Sequence, residues 1–355
     1  MILPFLAGVK YKGKIYFSMR NGNGLFSYNP AMKETVFLTV FSKEKICDFL
    51  HLRAFLYKNE MWLVPLEGDY ISCVNLDSLE IQYFEVFNRD RNSGKHLFYS
   101  VVLQDDYAFF LPNQTDTIMK VNLNSKKCEA LYTADYLKSV WAIDGFVQND
   151  ILNVVRGDGD VGLKINIYNG NIIYENTQSN GLSFHSCMLL GDECWMIPRS
   201  GDIRHGRIIN NGDIIFDEKN IHTDGGGYYR GAQNNNKLIF FPCDSNKRFV
   251  VFDTKSDDVI FADGLLEKYK PNGIWFECNI IDADEGCWAT TTNGAIIDFT
   301  DLDNVKTYGS VINDNATDLI FWNYKKYGMI DRFLENNIVT ESKSIINLDM
   351  FIDNI

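Results

Sequence analysis

No two of the eight cysteines stand in a CxxC pair, lysine and arginine never form a dense run, and no apolar stretch could span a bilayer. Each absence removes a class of protein. Without paired thiol motifs a zinc ribbon or a disulfide scaffold loses support. Cysteines set in apolar runs, such as Glu193-Cys194-Trp195 and Gly286-Cys287-Trp288, read as buried thiols in a reducing compartment. A net charge of −13 argues against a nucleic-acid surface. A membrane helix needs about 20 apolar residues, which this chain lacks. The opening Met1–Gly8 has no basic region of the kind that starts an export signal. A cytoplasmic protein is expected; an exported one whose signal has been removed is the alternative. HExxH, GxSxG, P-loop and dinucleotide fingerprints are all missing, so neither a metal nor a cofactor is expected.

Proline is also scarce. Of seven prolines, four close the same kind of phrase: Trp62-Leu63-Val64-Pro65, Phe109-Phe110-Leu111-Pro112, Trp195-Met196-Ile197-Pro198 and Ile239-Phe240-Phe241-Pro242. With weaker copies ending at Ser18, Val155, Thr291 and Arg332, the phrase recurs about every 44 residues, the mark of a repeat architecture. Phe98, Trp141, Phe184 and Tyr228 recur at a fixed distance ahead of it, with Trp275 and Phe321 near the same place. These aromatics are expected in the core, near the axis or between repeats.

Each repeat divides into four short strands separated by Asn, Asp, Gly and Ser turns. In the second repeat these are residues 52–58, 61–66, 70–76 and 80–87. No long amphipathic helix is evident before residue 313. This pattern resembles the blades of β-propeller repeat proteins, although neither the Trp-Asp dipeptides of WD40 repeats nor the kelch spacing is present. The resemblance implies an all-β fold. One domain over residues 1–355 is expected, with repeats starting near 4, 49, 97, 140, 183, 227, 274 and 318. Eight blades are favoured over seven plus a C-terminal appendage.

In a propeller, first-strand starts and second-strand ends share one face, and ligands commonly bind there around the channel mouth. The residues so placed are His51, Arg53, Tyr99, His185, Tyr229, Arg230 and Glu277, joined by Arg156 and Arg199 from adjoining loops. Arg20, Asp158, Arg204, His205 and Lys247 are expected on the loops after second strands. Arginine forks suit carboxylate or phosphate, and aromatic rings stack on sugar faces. The expected function is therefore a ligand-binding or scaffold propeller, a monomer, holding an anionic glycan or a protein partner. The alternative is a lyase or hydrolase acting on an acidic glycan, with His185 and Glu277 as its acid–base pair. Arg156-Gly157-Asp158-Gly159-Asp160 contains an RGD tripeptide and a DxD pair but too few oxygen ligands for a calcium loop, and reads as a turn.

Overall fold

The computed structural model describes residues 5–309, apart from 21, 48, 87–95, 140, 177–181, 224–226, 244–247, 263–277 and 292–294. Trp275, Glu277 and Lys247, together with the proposed eighth repeat over 313–355, lie outside the described residues. Among the described residues, seven antiparallel meanders follow one another. They are β1 (Phe5–Tyr11), β2 (Lys14–Met19), β3 (Gly24–Asn29) and β4 (Glu34–Val40); β5 (His51–Tyr57), β6 (Glu60–Pro65), β7 (Tyr70–Asn75) and β8 (Ile81–Glu85); β9 (Phe98–Gln104), β10 (Tyr107–Pro112), β11 (Thr117–Asn122) and β12 (Lys127–Thr133); β13 (Ala142–Gln148), β14 (Ile151–Arg156), β15 (Val161–Asn166) and β16 (Ile172–Glu175); β17 (Phe184–Leu190), β18 (Glu193–Pro198), β19 (Ile203–Ile208) and β20 (Ile214–Ile221); β21 (Tyr228–Asn234), β22 (Lys237–Pro242), β23 (Phe249–Asp253) and β24 (Val259–Ala262); and β25 (Cys278–Ala283), β26 (Trp288–Thr291), β27 (Ala295–Asp298) and β28 (Lys306–Gly309). A short 3₁₀ turn, Asp135–Ser139, is the one helical element among the described residues, and none is long and apolar enough to cross a membrane.

The first strands stand side by side in chain order, and β25 returns beside β1, which gives a propeller-like ring. The blade count departs from the sequence expectation of eight, or of seven with an appendage. Five meanders form separate four-stranded sheets, whereas the other two make one eight-stranded sheet, β28-β27-β26-β25-β1-β2-β3-β4. They fuse because β1 and β25 run parallel and close enough to pair, Val9 with Asp282 and Lys10 with Ala283.

Mutual burial between meanders explains the strong apolar runs. In β6, Met61 and Leu63 point into a core shared with Ala7 and Val9 of the preceding meander. Their neighbours Trp62 and Val64 point the other way, into a core shared with Phe98 and Phe110 of the following one. Every position of this strand after Glu60 is buried, so alternation of polar and apolar residues is lost. Deleting a ring such as that of Trp62 costs about 3–5 kcal/mol.

The outer hairpins repeat a turn chemistry. The side chains of Asn29, Asn75, Asn122, Asn166 and Asp253 each accept hydrogen bonds from backbone amides two and three residues ahead. At the residue after the second of those amides the chain enters the left-handed region, at Lys33, Leu79, Lys126, Gly170 and Asp257. The side-chain oxygen fixes the turn, and the left-handed residue returns the chain into the outer strand.

Candidate channel-mouth site

The inner strands share one irregularity. In β5, His51 pairs with Pro65 but Arg53 with Val64, so Leu52 faces no partner. The same bulge isolates Leu6, Tyr99, Ile143, His185 and Tyr229 at the equivalent place in β1, β9, β13, β17 and β21. A bulge re-aims the side chain of its extra residue. Here the side chains turn toward the axis: Leu6, Leu52, Tyr99 and Ile143, from four different meanders, pack in one cluster.

Above that cluster lies a cavity of about 320 Å³, lined by side chains from five successive meanders. Leu52, Tyr99, His185 and Tyr229 come from bulges; Phe49, Leu66, His96, Asn113, Trp141 and Arg199 come from the adjoining loops. Tyr99, Trp141, His185 and Tyr229 form a chain of edge-to-face contacts, with ring centroids 5.4, 6.3 and 5.3 Å apart. The guanidinium of Arg199 lies over Trp141, 3.8 Å from the ring centroid, and that of Arg20 lies 4.3 Å from the ring centroid of Phe49. Among the described residues neither guanidinium is held by a carboxylate. Burial, with Arg199 adding to it, lowers His185 to about 4, so it is neutral at pH 7. Glu67, half-buried beside His96 at 3.6 Å, is held below the usual carboxylate range chiefly by that histidine.

The structure thus brings four of the nine expected site residues into one cavity: Tyr99, His185, Arg199 and Tyr229. Arg53 and Arg230 follow a bulged residue and sit one step further along the strands. Arg53 donates to Ser100 Oγ at 2.8 Å, Ser100 donates to Asp144 at 3.0 Å, and the Arg53–Asp144 ion pair spans 3.8 Å. This chain crosses from β5 to β13 below the cup. Burial raises Asp144, and Arg53 opposes that rise. The Arg230 guanidinium lies 5.3 and 5.2 Å from the rings of Tyr99 and Tyr229, so it supports the cup from behind.

Besides Arg53 and Arg230, two more expected residues do not line the cavity. His51 is buried against Phe41 and accepts or donates a 2.8 Å bond with Ser18. It precedes the bulge, so its ring enters the core rather than the channel. Arg156 pairs with Asp158 of its own turn and donates to the carbonyl of Asn176 at 2.6 Å. Glu277 lies outside the described residues. His205, expected on a loop, is in β19 opposite Trp195, with its Nδ1 2.7 Å from Asp217. Trp141, expected in the core with Phe98, Phe184 and Tyr228, instead lines the cavity. Ala142 takes its core place, and Gly157 makes room, since a Cβ there would lie 2.5 Å from the indole.

Phe49, Leu52, Leu66, His96 and Asn113 were not anticipated from the sequence. The signal for Leu52 was present: it occupies the position of Tyr99, His185 and Tyr229, one residue past the place filled by Phe98, Phe184 and Tyr228. Among the described residues, no group of three His, Cys, Asp or Glu is placed to hold a metal ion.

No protein-family profile and no curated protein matches the chain. Solved structures do resemble it. PorZ, a bacterial surface component of the type-IX secretion system of Porphyromonas gingivalis, aligns over 88% of this chain and 39% of its own, with a TM-score of 0.59 and 11% identity. The extracellular domain of the hybrid two-component system BT3049 from B. thetaiotaomicron aligns over 88% of this chain and 40% of its own, with a TM-score of 0.54 and 10% identity. The computationally designed Ika8 protein aligns over 87% of this chain and 97% of its own, at a TM-score of 0.51 and 9% identity. The chain spans about two fifths of the length of the first two. At such identities these likenesses concern the fold alone.

Proposed function

We propose that the protein is a binding propeller whose channel mouth holds an acidic carbohydrate. The observation that carries this reading is Arg199: an exposed guanidinium stacked on Trp141, free of any carboxylate partner among the described residues, at the edge of an aromatic cup. A uronic-acid unit offers both complements, a carboxylate for the guanidinium and a C–H face for the rings. Arg20 on Phe49 adds a second positive group to the same mouth. Neutral His185 contributes a polar edge without charge. Binding is preferred over lyase or hydrolase chemistry because a general base works best with a pKa near the operating pH, and His185 is lowered well below it.

Titration calorimetry with glucuronate and with uronic-acid oligosaccharides tests this. Binding that weakens about tenfold or more in Arg199→Ala, and falls further as salt rises, supports it. Absence of binding to every uronic-acid probe refutes it and directs the search to a protein partner. Turnover of a probe that disappears in His185→Ala would establish the enzymatic alternative.

A further inference from the structure

A second cavity of about 190 Å³ opens beside the first, lined by Ser183, Phe184, Pro198, Ser200, Arg204 and Asn220 among others. The two share a wall. Phe184 lines one and His185 the other; Pro198 and Ser200 line one while Arg199, between them, serves the other. A ligand held by Arg199 therefore has the second cavity within reach of its next unit.

The chemistry of this cavity differs from that of the cup. Arg204 and Asn220 are directly opposed cross-strand partners in β19 and β20, so their side chains leave the same face together. The Oδ1 atom of Asn220 is buried and accepts no hydrogen bond. Arg204 makes no ion pair among the described residues. Both oxygens of Asp202 are engaged, one by His222 and the other by the Thr223 amide. The polar wall thus offers an unused donor and an unused acceptor side by side, facing an apolar wall of Phe184 and Pro198. A hydroxyl both donates and accepts, so a sugar ring satisfies such a wall while its C–H face lies on the apolar side. A second carboxylate or phosphate is not favoured, because the charge of Asp202 offsets that of Arg204 on this wall and Asn220 Oδ1 can only accept.

Resting on the reading of the mouth as an acidic-sugar site, we infer that this cavity is a subsite for a neutral sugar, and that the ligand is a chain in which a uronic acid is joined to a neutral unit. The test compares glucuronate with a panel of disaccharides linking glucuronate to glucose, galactose or N-acetylglucosamine, by calorimetry. At least one disaccharide should bind about tenfold more tightly than glucuronate, the gain expected for two net hydrogen bonds. Asn220→Ala and Arg204→Ala should each cut that gain to about threefold or less and leave glucuronate affinity unchanged, with thermal melting confirming that both variants fold. If glucuronate binds but no disaccharide gains, or if the gain survives both substitutions, the subsite is refuted and the mouth reading stands. If neither glucuronate nor any disaccharide binds, both fall together.

Discussion

Lowering the pH should destabilise the fold through two buried histidines. His51 is 4% exposed and His185 5% exposed. Burial lowers the first to about 3 and, with Arg199, the second to about 4, against 6.5 for an unperturbed histidine. The folded state therefore prefers both rings neutral, while the unfolded chain protonates them as pH falls through 6.5. The stabilisation is present above that pH and is lost progressively down to the folded-state values. Between pH 7 and pH 5, each ring should remove about 2 kcal/mol of unfolding free energy, with a limiting slope of about 1.4 kcal/mol per unit. Together they take about 4 kcal/mol, a large part of an ordinary domain's stability. Urea unfolding followed by tryptophan fluorescence at half-unit pH steps measures this. His51→Asn keeps a partner for Ser18 and should flatten the profile by about 2 kcal/mol across the same interval. The difference between wild type and variant cancels carboxylates such as Asp144, which burial shifts upward. Parallel profiles for the two proteins would refute the reasoning, because His51 would then titrate alike in both states.

Lys164 crosses from β15 to the next meander, donating to the Asn211 carbonyl and to Asp213, both at 2.6 Å, with its stem buried. Lys164→Ala should destabilise by about 2–3 kcal/mol in urea unfolding, whereas Lys164→Met, which keeps the stem, should cost less. Lys33 is exposed at φ 54°. Lys33 already carries the left-handed penalty, so Lys33→Val should cost only the added strain of branching, up to about 1 kcal/mol, and Lys33→Gly should be neutral or stabilising by less than about 1 kcal/mol, read from chemical denaturation midpoints. Gly157→Ala would push the Trp141 indole out of place and should weaken uronic-acid binding by a larger factor than it changes thermal stability.

The repeat was legible because mutual burial writes itself into consecutive residues. The anchors read at Pro65, Pro112, Pro198, Pro242 and Thr291 are the observed ends of β6, β10, β18, β22 and β26, and those at Ser18 and Val155 fall one residue short of Met19 and Arg156. That single-residue offset had a consequence: it put Trp141 in the core column instead of Ala142, and so hid a cavity residue among expected core aromatics. The fusion of β1 with β25 was not legible, since it depends on how tightly the ring closes and not on either strand's composition. Arg53, Arg156 and Arg230 were grouped with Arg199 because sequence places them on the same rim. Only the fold separates an arginine with a carboxylate two residues away, such as Arg156 with Asp158, from one stacked on a ring with none.

The bulges explain how one repeat produces both a constant core and an uneven site. The residue before each bulge is anchored opposite the end of the second strand, and Phe5, Phe98, Phe184 and Tyr228 fill that place as fully or nearly fully buried rings. The bulged residue itself has no ladder partner and turns to the axis, so its identity is less bound by packing between meanders. Around the ring it is Leu6, Leu52, Tyr99, Ile143, His185 and Tyr229. The first two meanders therefore present an aliphatic wall, and the third, fifth and sixth an aromatic and polar one. Arg20 stands over the aliphatic side and Arg199 over the aromatic side. On the proposed reading, an acidic sugar would lie with its ring against Tyr99, Trp141 and Tyr229 and its acid toward Arg199. That orientation would send its next unit across the Pro198–Ser200 ridge, where the second cavity lies.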